Sequence, residues 1–547
     1  MLQSDTTTVV SFGDSLSDTG NVSAVTGRLL IDPLAIPIPA TENSLGYADG
    51  FSDGAVHPDR LAALLEADLV GYAVGGARVL GERPLDGQVS GLVPEEAQAV
   101  FFDPAVTDPE RSTLLAYDLN IGAQVARFTS ESGGGAPNPT ADAPGLAASD
   151  VVLATFFGGL NDIADFAASA VDSPFEALLG VDSFIEGLVD GAETAIAGIA
   201  ASPLVDQIAV FRVPSITFFP QPEDVPPAAV SLLGQVVDGY NAGLEGIVGS
   251  LSEVEAVTLE LDRMLAAVDE DPETFGFVGK GPFFLGSGSS LTDAEVPPVP
   301  PYEIPLNPSL PAGVAPDQVQ FVDTLHYSSQ LHGVVGAYAA AALTKEAEYL
   351  DNGGNLRLFT DKAHFVLADD GDDRIFTGRG EDVILAGEDD DLIFAGLGDD
   401  VVSGGSGADD LRGSFGDDVL AGGSGDDVLR GGFGDDILID GAGNDTAFGG
   451  VGDDTFIWIA PEVRGFGGSG DADVVSGGVG EDTLYLVLAE GFDLSSGIDL
   501  AALGIEASGI EDVVALAEGR APLDLESGLI EAPNLAQLTL AYDWGFV

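Results

Sequence analysis

Ser15, Asp323 and His326 are of the residue types that together perform nucleophilic catalysis. An imidazole takes the proton of a serine hydroxyl, and a carboxylate holds the imidazole's other N–H. Ser15 lies in Phe12-Gly13-Asp14-Ser15-Leu16-Ser17-Asp18, directly behind the apolar run Thr8–Phe12. Asp323 and His326 stand three residues apart in Phe321-Val322-Asp323-Thr324-Leu325-His326, so both can act from one loop or first helical turn. The chain has 4 His, at His57, His326, His332 and His364, which makes one in this arrangement informative. His57, next to Pro58, reads as the start of a helix, His332 as part of the helix after His326, and His364 as part of a linker. A helix N-cap is the other ordinary role of a serine at such a turn.

Two further motifs can supply N–H donors to a developing oxyanion. Tyr72-Ala73-Val74-Gly75-Gly76-Ala77 follows an apolar run, and a glycine there lets backbone approach a tetrahedral intermediate. Phe157-Gly158-Gly159-Leu160-Asn161-Asp162 follows another, and the Asn161 amide can donate. Each alone is also an ordinary turn sequence. Four such motifs, each at the carboxyl end of a strand, point to one site.

The elements that would position them alternate. Strands are expected at Thr8–Phe12, Leu69–Val74, Val151–Phe157, Ile208–Val213 and Ala256–Leu261, and helices at Pro58–Leu65, Pro174–Ala200 and Ala228–Leu251. Such alternation implies a parallel sheet covered on both faces. Ser132–Gly145 and the Pro-rich Leu285–Asp317 read as long surface loops, the second lying just before Asp323.

On these motifs, residues 8 to about 345 resemble the GDSL branch of the SGNH hydrolases. The resemblance implies an α/β fold, a three-layer α/β/α sandwich around a mainly parallel five-stranded sheet. Carried over by motif, it implies Ser15 as nucleophile, Gly76 and Asn161 as oxyanion donors beside the Ser15 N–H, and Asp323 and His326 as the rest of the triad. Gly50-Phe51-Ser52-Asp53-Gly54, Tyr240-Asn241-Ala242-Gly243-Leu244 and Phe275-Gly276-Phe277 are weaker similarities. Gly71, Val322 and Tyr327 depart from the residues the family often carries, Asn, Trp and Pro. The family's substrates include fatty-acyl esters, phospholipids, acetylated sugars and thioesters. An acyltransferase would share the whole constellation, water exclusion separating the two. A calcium-dependent adhesin or surface protein with a vestigial hydrolase domain is a further alternative.

From about residue 366 a nine-residue period replaces the helical one. Asp recurs at Asp373, Asp382, Asp391, Asp400, Asp409, Asp418, Asp427, Asp436, Asp445 and Asp454. Two residues before each stands Gly, except at Asp389; two residues after stands an apolar residue, from Ile375 to Phe456. A weaker, shifted continuation carries Asp473 and Asp482. Glycine turns offer backbone carbonyls, Asp offers charged oxygen, and calcium (Ca2+) takes six to eight such ligands. The ten Asp are therefore candidate calcium ligands. The pattern resembles the nonapeptide repeats of RTX proteins, which implies an all-β parallel β-roll with two repeats per coil, folded by calcium. It also implies export of an unfolded chain by type I secretion machinery, with an uncleaved C-terminal signal ending Asp543-Trp544-Gly545-Phe546-Val547. The division expected is a hydrolase domain at 1–350, a linker at 351–365, a calcium-binding roll at 366–485 and a cap with the secretion signal at 486–547.

The charge favours cations as partners, and the RTX resemblance implies a secreted, extracellular chain. Lys and Arg number 18 against 91 Asp and Glu, a formal net charge of −73, which excludes a nucleic-acid partner and disfavours anionic membranes. There is no Cys, so neither disulfides nor thiolate chemistry is open to it. No apolar run is long enough for a transmembrane segment, and Met1-Leu2-Gln3-Ser4-Asp5 lacks the features of a cleaved signal.

Overall fold

The structure is a computed structural model. It describes residues 6–13, 56–73, 78–80, 120–132, 150–172, 174–215, 217–220, 226–270, 277–282, 319–321, 327–350, 353–359, 362–460, 472–488 and 498–516, with residues 272, 275, 307, 309 and 310. The chain divides into two compact units, residues 2–265 with 281–336, and residues 266–280 with 337–547.

The first unit holds a five-stranded sheet of β1 (Thr8–Gly13), β2 (Asp68–Gly71), β3 (Val152–Phe157), β4 (Gln207–Phe211) and β5 (Glu255–Leu259). Every pairing is parallel, in the order β2-β1-β3-β4-β5. All residues of β1, β3 and β4 are buried, as expected where helices cover both faces. Among the described residues its helices are α1 (His57–Leu64), α2 (Ile121–Ser132), α3 (Leu160–Asp172), α4 (Pro174–Ala200) and α5 (Pro227–Ser250). α6 (Leu261–Glu270) and α7 (Ser329–Thr344) run through points where the division falls. Proline opens α1 and α5 where a missing N–H costs nothing, and Asp59 accepts from the Val56 N–H at 3.1 Å at the start of α1. The strand order reverses between β1 and β3. In open sheets of this order ligands bind outside the carboxyl ends of the strands at that reversal.

The second unit is a roll of two parallel sheets, nine-stranded and eight-stranded, between which successive strands alternate. Residues 18 apart pair across neighbouring coils, as Ile375 with Ile393 and Ile393 with Leu411. The apolar residue two after each Asp, from Ile375 to Phe456, is at most 3% exposed. Glycine is needed two before each Asp because φ there is positive, from 114° at Gly371 to 146° at Gly452. A Cβ at Gly425 would also overlap the Gly407 carbonyl oxygen one coil back. Asp389, which breaks the glycine pattern, keeps its conformation at φ 77°. The same register stacks Phe376 on Phe394 and Phe415 on Phe433, with centroids 4.8 and 4.9 Å apart.

The sheets run past the nine-residue period at both ends. Glu346–Tyr349, Leu356–Leu358 and His364–Leu367 precede it, and Ile505–Ser508 and Asp512–Leu516 follow it. These terminal strands are joined by backbone pairing, which does not require the turn residues that produce the repeat. His364 thus lies on a roll strand, where its N–H donates to Asp382 Oδ1 at 2.6 Å.

Candidate active site and calcium-binding turns

The candidate site is built from the strand ends upward. β1 and β3 pair so that Gly13 lies opposite Phe157. The Gln124 side chain on α2 clasps the last residue of β1: its Nε2 donates to Gly13 O at 2.8 Å and its Oε1 accepts from Gly13 N at 3.1 Å. Gln124 is fully buried and fixes the backbone two residues ahead of Ser15. Sequence reasoning missed Gln124, since a glutamine on an amphipathic helix gives no local signal.

Beyond β3 the Gly158-Gly159 turn is shaped by close neighbours. Gly159 has φ 109°, and a Cβ there would come 2.7 Å from the Tyr240 ring. A Cβ at Gly158 would overlap Ile121 Cδ1. The Tyr240 hydroxyl donates to Gly158 O at 3.0 Å, and Asn241 pairs through both side-chain atoms with Val213 N and O, at 2.8 and 2.9 Å. These contacts explain the Tyr240-Asn241 signal: it braces the ends of two strands. Asn161 then stands second in α3, half-buried.

Asp162, its neighbour, is 3% exposed and accepts from Val79 N at 2.8 Å and Leu80 N at 3.2 Å. Burial pushes its carboxyl up to about 6, against the pull of those two N–H donors. Arg78 pairs with Asp165 on α3, and its carbonyl accepts from Ile121 N at 3.0 Å. The segment starting two residues after Gly76 is therefore tied to the helix that carries Asn161. Asp162 also escaped the sequence reading, although it adjoins a residue that the reading singled out.

Of the catalytic candidates, Asn161 alone falls among the described residues; Ser15, Gly76, Asp323 and His326 lie outside them, as do nearly all of the Pro-rich loop and residues 543–547. The residues flanking 322–326 are described. Phe321 and Tyr327 form an antiparallel bridge, both fully buried, and Ser328 N donates to Gln320 O at 3.0 Å. His57 and His332 are structural: each is 1% exposed, the rings stack 5.7 Å apart, and His57 N donates to His332 Nδ1 at 3.2 Å.

Replacing Gln124 with Leu is expected to lower kcat about 10- to 100-fold with a small change in KM. The substitution strands the buried Gly13 N–H and carbonyl and frees the turn ahead of Ser15. Steady-state kinetics with a thermal melt checks it. A variant that loses stability but keeps kcat shows that Gln124 serves the fold alone.

In the roll, Asp373, Asp382, Asp391, Asp400, Asp409, Asp418, Asp427, Asp436, Asp445 and Asp454 are each at most 3% exposed. Oδ1 of each from Asp391 onward accepts from the backbone N–H of the Asp one coil earlier, at 2.7–3.0 Å. The ladder continues through Asp473 and Asp482 at 3.1 and 2.9 Å. Oδ2 of all ten has no hydrogen-bond partner. Asp418 Oδ2 faces Gly413 and Asp436 Oδ2 faces Gly431, where a Cβ would overlap it. Burial first, and neighbouring carboxylates after it, push these acids up, to about 8 at Asp391 and about 9 at Asp400 and Asp436. Buried anionic oxygens lacking donors fit a hard cation. A second ladder, missed in the sequence though its Asp-Asp doublets announce it, joins Asp417 N to Asp399 Oδ1 at 2.9 Å and Asp435 N to Asp417 Oδ1 at 2.8 Å.

Comparison with known families agrees with both halves. Residues 9–339 match the GDSL-like lipase/acylhydrolase family, and 367–402, 403–438, 430–457 and 467–486 match the RTX calcium-binding nonapeptide repeat. No curated protein matches the chain. The chain belongs to the GDSL-like lipases and acylhydrolases and carries, after its α/β domain, RTX repeats that bind calcium.

Proposed function

We propose that the protein is an exported carboxylic ester hydrolase of the lipase, esterase or phospholipase type, with Ser15 as nucleophile, His326 as general base and Asp323 as its orienting carboxylate. Gly76, Asn161 and the Ser15 N–H form the oxyanion hole. The observation that carries the reading is the pairing of Gly13 with Phe157 at the reversal of strand order. Two residues of chain, at most roughly 7 Å, separate Gly13 from Ser15. Asn161 lies in the first turn of the helix just past Phe157, so hydroxyl and amide start from adjacent strand ends.

In the reaction, His326 takes the Ser15 proton as Oγ attacks the ester carbonyl. The oxyanion donors stabilise the tetrahedral intermediate, and the proton passes to the departing alcohol. Water, activated by the same imidazole, then releases the acid and restores Ser15. In the roll, the ten repeat Asp would hold calcium through their unpartnered Oδ2 atoms, with turn carbonyls completing an all-oxygen ligand set. RTX repeats are typical of exported proteins, and low calcium inside a cell leaves the carboxylates without the ion that would stabilise the fold. Type I secretion machinery is the route that fits.

The test is a panel of esters of graded acyl length, with phospholipids and an acceptor alcohol, run beside labelling by a fluorophosphonate. Hydrolysis with labelling at Ser15 supports the reading. Transfer to the alcohol in preference to water makes the protein an acyltransferase, and no turnover of any ester refutes the proposal. Within it, Asn161→Ala is expected to lower kcat on the order of 100-fold or more at nearly constant KM, because an oxyanion donor acts on the transition state. A rise confined to KM would make Asn161 a substrate contact instead.

A further inference from the structure

One turn of the roll departs from all the others. Five residues before each repeat Asp the chain has Ala, Thr or Gly, at Ala368, Thr377, Ala386, Ala395, Gly404, Gly413, Gly422, Gly431 and Gly449; only before Asp445 is the residue acidic, Asp440. At Gly413 and Gly431 that position lies against the free Oδ2 of the repeat Asp. At Asp440 it brings in a second carboxyl group. The strand before it is cut to Ile437–Ile439, and Asp440 Oδ1 accepts from Gly441 N at 2.8 Å. The third carboxyl is that of Asp473, reached across a step of 28 residues, whose Oδ1 accepts from Asp445 N at 3.1 Å. Oxygens of Asp440, Asp445 and Asp473 lie within 4.8 Å of one another, and the residues are 5%, 1% and 3% exposed.

Three carboxylates alone would only repel. The second observation is Asp445 Oδ2, which is buried and has no hydrogen-bond partner; in the turns of Asp418 and Asp436 the same atom faces the position that Asp440 holds here. A further mark is Trp458, one coil beyond Asp440 in the same position of the repeat, whose Nε1 donates to Asp473 Oδ2 at 2.8 Å. The indole therefore touches one of the three carboxyl groups.

We propose that Asp440, Asp445 and Asp473 form a divalent-cation site distinct from the regular turns, charged with three carboxylates, and that it takes its ion before the regular turns fill. Affinity of oxygen sites for calcium rises with the charge of the ligand set. A dication here offsets two of three buried charges, where a regular turn has fewer carboxylates to neutralise. The site goes beyond the nonapeptide pattern, because Asp440 stands outside it and Asp473 belongs to its shifted continuation.

Trp458 makes the site separately visible. The chain has 2 Trp, and Trp544→Phe in the full-length protein leaves Trp458 as the single indole. Terbium, an oxygen-seeking stand-in for calcium, emits by energy transfer from a nearby indole. Indole-excited emission is expected to saturate at the first equivalent, and calcium is expected to compete for it. Asp440→Gly, which restores small-residue character at that position, is expected to weaken this step at least 10-fold while circular dichroism in saturating calcium stays unchanged. Asp440→Asn, nearly the same shape without the charge, should do the same and covers a failure of the glycine variant to fold. Asp400→Asn, in a regular turn, should leave the step intact. Emission that grows only as the whole roll fills, or a titration unmoved by both Asp440 variants, overturns the proposal.

Discussion

Ser15→Ala is expected to lower ester turnover by several orders of magnitude and to leave folding intact. The residual rate over water would come from binding and the oxyanion donors, which do not need the hydroxyl. The expectation of intact folding has a structural basis: Gly13, two residues earlier, is held by both ends of the Gln124 amide, and neither bond involves Ser15. The measurements are turnover of the best ester from the panel, fluorophosphonate labelling mapped by mass spectrometry, and a thermal melt. A variant with wild-type turnover, or a label found on another serine, would remove Ser15 from the mechanism.

Chelation is expected to melt the roll while the α/β unit keeps its secondary structure. The ten repeat Asp are buried with their Oδ2 atoms unpartnered, so without calcium their charge is uncompensated. The α/β unit has its own buried sheet and helices and no comparable ladder of acids among the described residues. Hydrogen exchange on the full chain separates the two: with chelator, protection should vanish across 374–487 and persist in β1, β3 and β4. Protection of both in chelator would refute calcium-driven folding.

The pH dependence in chelator has a definite sign. An unfolded Asp loses its proton near pH 4, whereas burial, and after it neighbouring acids, raises Asp427 to about 8 and Asp436 to about 9 in the folded roll. A carboxyl raised in this way contributes its stability fully below the unfolded value, and that stability is lost as pH climbs through the folded one. Metal-free, the roll should therefore be most stable in mild acid and weaken steadily from about pH 4 to about 9. With calcium bound the trend should reverse over the acid side, because protons compete with the ion for the same oxygens. Thermal melts at graded pH, with calcium and with chelator, test both arms; parallel curves would contradict the assignment of these Asp as ligands.

Strand and helix alternation was legible because buried parallel strands are short apolar runs: four of the five expected strands end within two residues of those observed, and Leu69–Val74 ends at Gly71. The roll was legible because its turns demand glycine and its ladder demands Asp at a fixed step. Positioning residues were not. Gln124 and Asp162 act on backbone 111 and 83 residues away, so nothing near them in the chain marks them. Asp440 stayed hidden for the opposite reason. It sits inside a recognisable repeat, where attention goes to what recurs, and its meaning lies in breaking the pattern.

Alternation between two sheets gives the roll a reading frame. Nine residues carry the chain from one sheet to the other, and 18 bring it back. Losing or gaining one nonapeptide reverses the parity of everything downstream, so each later strand would have to join the opposite sheet; a pair of nonapeptides leaves parity untouched. The step from Asp445 to Asp473, and again from Asp454 to Asp482, is 28 residues, ten more than the coil needs, yet both ladders continue unbroken. The surplus falls between the strand ending at Ile459 and the strand starting at Asp473, which leaves the frame intact. Length change in this module is thus filtered by parity and by place: an extra turn segment is admitted, a whole pair is admitted, and a single repeat shifts Phe433 and Arg430 out of register with Phe415 and Arg412.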